Sequence, residues 1–301
     1  MHQPIKSYPV ETIIKNENNK HNISIKIARL DLIHPIVSGN KLFKLYYFVE
    51  KAKQLNKEKL ITKGGAFSNH LIATAFYCKE MKIQAIGIIR GEQPQHLNHT
   101  LSACLAFGMQ LIYVSRKDFD LIHNIKDLNE SYLDENNSFF IPEGGYHPLG
   151  AIGASLIMEH PELKSASHIC TALGTSTTLA GLIIKSEPKQ EIIGIPALKG
   201  LTDISERLEY LLETSNFKTP TIWTDYDFGG YAKSSGHLIE FINNFYSDFR
   251  IPSDFVYTGK AFFAVMDQFQ KGYFPNNSNV IIIHTGGLQG NRSKPKGTFI
   301  F

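Results

Sequence analysis

The sequence predicts an α/β fold built on parallel strands, and three observations carry that expectation. Short apolar runs bounded by glycine alternate with amphipathic stretches along most of the 301 residues, the rhythm of repeated strand–helix units. Twice an apolar run passes through glycine into small polar residues that open a helical pattern, at 60–79 and 168–185. The composition, 43% apolar and 20% charged, is that of an ordinary globular chain large enough for two packed lobes. Ligands of such folds gather at the carboxyl ends of the strands.

The elements follow in order. "ISIKIARLD" (23–31) alternates as a strand does. "VSGNKLFKLYYF" (37–48) starts a helix in which Leu42, Leu45, Val49 and Ala52 form an apolar stripe, with Ser38 or Asn40 placed to cap it. Further strands are expected at "KLIT" (59–62), "AIGIIR" (85–90), "LIYVS" (111–115), "FFIPE" (139–143), "HICTA" (168–172), "IIGIPA" (192–197), "TIWTD" (221–225) and "VIIIHT" (280–285). Helical patterns run between them at Ser68 to Lys79, Leu149 to Glu159, Thr177 to Lys185 and Lys260 to Gln270. No internal repeat, low-complexity tract or linker interrupts the series, so composition marks no domain boundary.

Charge and cysteine content narrow the classes of function. The net charge of +3 comes from 31 basic and 28 acidic residues spread along the chain, which leaves no basic block for a nucleic-acid backbone. Cys78, Cys104 and Cys170 lie far apart without CxxC spacing, which suits a reducing compartment and neither a disulfide framework nor a zinc site. The opening residues hold no apolar core of signal-peptide length, and no apolar run is long enough to span a membrane. A cytoplasmic enzyme or binding protein is the expectation, with no nucleic-acid, membrane or metal partner.

Three places carry chemistry. Lys41 and Lys44 share one face of the helix at 37–48, either as a solvated basic edge or as two amines aimed at one ligand. In "LITKGGAFSNHLIATAF", Ser68, Asn69 and His70 form the first turn of a helix after Gly64 and Gly65; they cap it, or with its free N–H groups they hold an anion. In "CTALGTSTTLAGLIIK", Gly174, Thr175, Ser176, Thr177 and Thr178 put five small residues in a row, four of them hydroxylic. A turn needs one or two of these and a phosphate uses several. GxxxxGK[ST] and an early GxGxxG are both absent, which argues against a nucleotide. A phosphate cup, a second anion site and a lysine in an apolar setting together point to pyridoxal 5′-phosphate.

"SGNKLFKL", "GGAFSNH", "EGGYHPLG", "GTSTTLAG", "FVYTGKAF" and "HTGG" occur in the order, and with roughly the spacing, of the 1-aminocyclopropane-1-carboxylate deaminase and D-cysteine desulfhydrase family, which the chain resembles from about Arg29 to its end. The resemblance implies a fold type II pyridoxal-phosphate enzyme of the tryptophan-synthase-β type: two three-layer α/β/α domains with the cofactor in the cleft between them. Residues 1–44 and 146–301 would form the larger domain, residues 45–145 the smaller inserted one, and the assembly would be a homodimer. It makes Lys41 the Schiff-base lysine. Lys44, Asn69 and the 174–178 loop become phosphate contacts, and Ser68, Asn69 and His70 the receptors of the substrate carboxylate. Ser68 is also a candidate acid or base, and Tyr257 and Tyr231 resemble the family's two active-site tyrosines.

Departures bear on the reaction. The deaminase has glutamate where Thr258 stands, near the pyridine nitrogen, and leucine where Thr285 stands; the desulfhydrase branch has threonine at both. A carboxylate there would keep the ring protonated and deepen the electron sink, and a hydroxyl does so less. The resemblance therefore implies β-elimination from a small amino acid, with D-cysteine giving pyruvate, ammonia and sulfide. Ring opening of 1-aminocyclopropane-1-carboxylate to 2-oxobutanoate and ammonia is the alternative, and a non-catalytic pyridoxal-phosphate carrier a further one. Phe43 stands where the family has arginine, an expected loss of charge near the site edge.

Overall fold

The computed structural model describes residues 8–34, 37, 39–128 and 135–301. Among these, the strands are β1 (Val10–Ile14), β2 (Ser24–Arg29), β3 (Lys59–Gly64), β4 (Gln84–Arg90), β5 (Gln110–Val114), β6 (Ser138–Ile141), β7 (His168–Leu173), β8 (Glu191–Pro196), β9 (Thr221–Ile222) and β10 (Asn279–His284). They form a six-stranded sheet in the order β1-β2-β10-β7-β8-β9 and a four-stranded sheet in the order β5-β4-β3-β6. Every pairing is parallel except β1 with β2. The larger sheet thus draws strands from both ends of the chain, and the smaller one from residues 59–141.

Strands read as continuous apolar runs because both of their faces are covered. In β10, Ile281 and Ile283 enter one core while Val280 and Ile282 enter the core on the opposite face. The first core is closed by α5 (Pro148–Ser155), α7 (Thr177–Lys185) and α8 (Ile204–Leu212), the second by α9 (Gly236–Phe249) and α10 (Thr258–Gln270). The four-stranded sheet is sandwiched likewise, by α1 (Asn40–Gln54), α2 (Asn69–Met81) and α3 (His99–Ala106) on one face and by α4 (Arg116–Leu121) on the other. Each sheet is therefore the middle of a three-layer sandwich, as the sequence predicts.

Helix α1 belongs to both halves. Leu42, Leu45, Phe48, Val49 and Ala52 pack beneath the small sheet, whereas Phe43 turns into the core of the large one. Phe43 is 2% exposed and meets Tyr8 edge to face, ring centroids 6.3 Å apart. The expectation of a residue near the site edge is corrected: Phe43 is core, and its apolar surface explains why a charge is absent there.

Glycines on α5 let α1 and α7 approach it. A Cβ on Gly153 would stand 2.3 Å from the Phe43 carbonyl oxygen, and one on Gly181 of α7 would stand 2.5 Å from the Ala154 side chain. Spacing this tight fixes the lysines of α1 relative to the start of α7.

Other differences are local. Ser38 lies outside the described residues, and Asn40 does not cap α1; it is the first helical residue, preceded by Gly39 at φ 89°, and its amide donates to Thr178 Oγ1 at 2.7 Å. The helix expected from Leu149 to Glu159 tightens to 3₁₀ geometry after Ser155, and the "TIWTD" strand keeps only two residues.

Candidate active site

A cavity of about 690 Å³ opens where the carboxyl ends of β3, β7 and β10 meet the starts of α1, α2 and α7. Five cationic side chains line it (Lys41, Lys44, Arg90, Arg116 and Arg207) against one carboxylate, Glu143, so it is built for anions.

Lys41 and Lys44 both reach the cavity. Gly39 makes this possible, because a Cβ there would sit 2.0 Å from the Thr285 carbonyl oxygen, to which Asn40 N–H donates. Lys41 Nζ donates to Asn40 Oδ1 at 2.9 Å. Burial lowers its pKa to about 8, partly opposed by Asp254. Lys44 is 4% exposed and its Nζ stands 3.5 Å from its nearest acceptor, the Gly144 carbonyl. Burial, and then Lys41, push it well below the ordinary lysine range. A buried ammonium so weakly partnered calls for an anion.

The 174–178 loop faces these lysines. Thr175 and Thr177 hydroxyls bond to each other at 2.8 Å, and Thr178 accepts from Asn40. Ser176 occupies the left-handed region at φ 61°, unusual for a non-glycine residue, and its buried Oγ has no protein partner. Helix α7 also starts without a side-chain cap, so its first N–H groups are left to a ligand. Gly174, Thr175, Ser176 and Thr178 line the cavity; Thr177 does not. Arg207 of α8 lies at this end, 3.5 Å from the Gly174 carbonyl and paired with Asp203 at 2.9 Å. Sequence reasoning missed it, and its position one turn after Asp203 reads as a surface ion pair.

At the start of α2, Ser68 is both cap and wall. Its Oγ accepts from the N–H groups of His70 at 3.2 Å and Leu71 at 3.4 Å, which leaves the hydroxyl proton free to donate. The Asn69 Oδ1 is buried without a protein partner. His70 is 2% exposed; burial first, then Lys41 and Lys44, lower its pKa to about 3, so the ring is neutral.

Tyr257 and Tyr231 meet across the opposite wall, ring centroids 6.0 Å apart at 64°. Burial, with Tyr231 and Asp254 nearby, drives Tyr257 well above the usual phenol range, so it holds its proton. Tyr231 is 57% exposed at the mouth. Thr285 lines the cavity and Thr258 does not. The Thr258 hydroxyl is fully buried, donating to Asp254 Oδ2 at 2.6 Å and accepting from Asp254 N–H at 2.9 Å. Asp254, a second residue missed from sequence, also takes the N–H groups of Val256, Tyr257 and Thr258, and thereby anchors the tyrosine. Its signal was an Asp a few residues before a helix start.

Comparison with known proteins identifies the family. The family model described as pyridoxal-phosphate dependent enzyme matches residues 13–286. A Thermotoga maritima protein named "Putative 1-aminocyclopropane-1-carboxylate deaminase" is 30% identical over 305 aligned positions, covering 95% of this chain and 95% of its own. A Pyrococcus horikoshii protein of the same name is 29% identical over 300 positions, covering 94% and 91%. A solved structure described as an ACC deaminase homologue superimposes with TM-score 0.79 at 25% identity, covering 96% of this chain and 92% of the other. The cavity fits the cofactor: the Ser176 hydroxyl and the Lys44 side-chain nitrogen are buried donors short of partners, beside a lysine whose pKa burial lowers to about 8. By sequence, fold and site, the chain belongs to the family of pyridoxal-phosphate dependent enzymes, with the type II fold.

Proposed function

We propose that this enzyme eliminates the β-substituent of a small amino acid, with D-cysteine giving pyruvate, ammonia and sulfide. The observation that carries this reading is Thr258. Neither Thr258 nor Asp254, the carboxylate that takes its hydroxyl proton at the start of α10, is among the residues that line the cavity. The bound cofactor supplies an electron sink for the α-carbon, and one without a facing carboxylate suits removal of an α-proton and departure of a good leaving group.

The chain's own groups divide the remaining work. Lys41, Lys44 and Asn69 with the 174–178 loop would hold the cofactor, Lys41 through its aldehyde carbon and the others at its phosphate. Lys41 has a pKa low enough for its released amine to accept the α-proton near neutral pH. The substrate carboxylate lies at the positive end of α2, where the Ser68 hydroxyl has its proton free to donate. Tyr257 keeps its proton and serves as donor, with Tyr231 beside it closing the mouth.

A second reading, ring opening of 1-aminocyclopropane-1-carboxylate to 2-oxobutanoate and ammonia, is favoured by the printed names of the relatives. A panel of D-cysteine, L-cysteine, D-serine and 1-aminocyclopropane-1-carboxylate, read out as α-keto acid, separates them. Pyruvate with sulfide from D-cysteine is the expected result. Formation of 2-oxobutanoate alone would overturn the elimination reading.

The same proposal includes a cytoplasmic homodimer whose larger domain comprises 1–44 and 146–301 and whose smaller one comprises 45–145; sedimentation and limited proteolysis check these. Among the described residues, no helix is long and apolar enough to cross a membrane.

A further inference from the structure

His70 is locked into one tautomer by a chain of hydrogen bonds behind the cavity wall. The Thr62 hydroxyl lies 2.9 Å from His70 Nε2 and donates its single proton to the Ile141 carbonyl at 2.8 Å. It therefore has only lone pairs for the imidazole, and Nε2 must carry the hydrogen. Nδ1 is then a bare lone pair. It is buried, has no protein partner, and belongs to a residue that lines the cavity, whereas Thr62 does not line it. Burial and the two nearby lysines also disfavour adding a proton there.

A bare acceptor in a dry site wants a hydrogen-bond donor. Of the polar ends of an amino acid, the carboxylate has only lone pairs and is repelled by Nδ1. The amine is the group exchanged with Lys41. What remains is the substituent on the β-carbon. We propose that His70 Nδ1 accepts the S–H hydrogen of a β-thiol, so that His70 favours a free thiol over an alkylated β-sulfur and leaves the carboxylate to Ser68 and the start of α2. This rests on the elimination reading above and sharpens it.

The chemistry also separates thiol from hydroxyl. During elimination the Cα–H and Cβ–S bonds break, the carbon proton passes to Lys41, and sulfur leaves as hydrosulfide with its own hydrogen still directed at Nδ1. Cysteine plus water then gives pyruvate, ammonium and hydrogen sulfide. Hydrosulfide is a weak base and departs unaided; hydroxide from a serine would need a proton, which a neutral Nδ1 cannot supply and which would have to come from Tyr257.

Two measurements test this. Nitrogen NMR of ¹⁵N-histidine protein without cofactor, with the His70 signals identified by their loss in His70→Phe, should show a neutral ring with hydrogen on Nε2. A proton on Nδ1 overturns the inference whatever the enzyme turns over. With cofactor, the preference for D-cysteine over S-methyl-D-cysteine, as kcat/KM and as Kd from the colour change on binding, should fall about 3- to 10-fold in His70→Phe, the size of one hydrogen bond. Thr62→Val, a change outside the cavity wall, should release the tautomer and lower the same ratio. An unchanged ratio in both variants overturns the role of His70. If neither compound is turned over, yet the wild type binds the thiol more tightly, the reaction reading fails and the role of His70 stands; binding without that preference removes the role.

Discussion

Replacing Gly153 by alanine should loosen the active site from a distance. The new Cβ would stand 2.3 Å from the Phe43 carbonyl oxygen and 3.1 Å from that of Lys44, so α1 and α5 must part by at least about 0.7 Å to reach even a 3.0 Å contact. Alanine's better helix propensity returns up to about 1 kcal/mol, while overpacking costs about 1–3 kcal/mol. With that return in full the net loss is up to about 2 kcal/mol, a Tm lowered by up to about 3 °C. The larger effect falls on the ligand, because the displaced segment carries Lys44 away from the 174–178 loop. Loss of one charged hydrogen bond is worth about 1.5–3 kcal/mol, or about 10- to 100-fold in pyridoxal phosphate affinity. Cofactor titration followed by absorbance, alongside thermal denaturation, reads both numbers. Gly236→Ala, where a Cβ meets nothing within 4 Å, is the control and should leave both unchanged or slightly raise Tm. Wild-type cofactor affinity and Tm in Gly153→Ala would refute the idea that close packing of α1 on α5 sets the lysine geometry.

The lysines give three further predictions. Lys41→Ala should abolish the visible absorbance of lysine-bound cofactor while circular dichroism stays native; persistence of that absorbance would move the attachment elsewhere. Lys44→Met removes a buried, weakly partnered charge, so the cofactor-free protein should gain thermal stability while cofactor affinity drops about 10- to 100-fold, a pair of opposite shifts read by denaturation and titration. Cofactor capture needs the neutral amine of Lys41, whose pKa is lowered to about 8; stopped-flow capture rates should therefore climb with pH up to about 8 and level off above it. A rate already flat below neutral pH would contradict that value.

What the residues revealed about this fold depended on how local the cause was. Both-face burial leaves unbroken apolar strands such as β7 and β10, and glycine followed by hydroxyls marks the start of α7, so sheet and cup were legible. Phe43 was not, because whether an aromatic on α1 faces a ligand or a core depends on which of two sheets lies against that side of the helix. Asn40 looked like a cap, and only the approach of Thr178, 138 residues away in sequence, gives its amide another partner. Thr258 was read as a ring-nitrogen contact. Asp254, four residues earlier, takes its hydroxyl proton, a competition no motif displays. His70 stood in the right place, but its tautomer is set by Thr62 and the Ile141 carbonyl on two neighbouring strands.

The position of β10 between β2 and β7 sets an order of assembly. The four-stranded sheet is complete once residue 141 has been made, and its strands are joined by short parallel crossovers that can pair early. The six-stranded sheet cannot close until residues 279–284 arrive to join a strand some 255 positions upstream, the most costly loop in the chain. Gly39 and Asn40 dock on Thr285, just past that strand, so Lys41 reaches its working position among the last events of folding. During synthesis the newborn chain would thus carry a finished small lobe and an unplaced reactive amine, and cofactor capture would report that the final strand has been threaded.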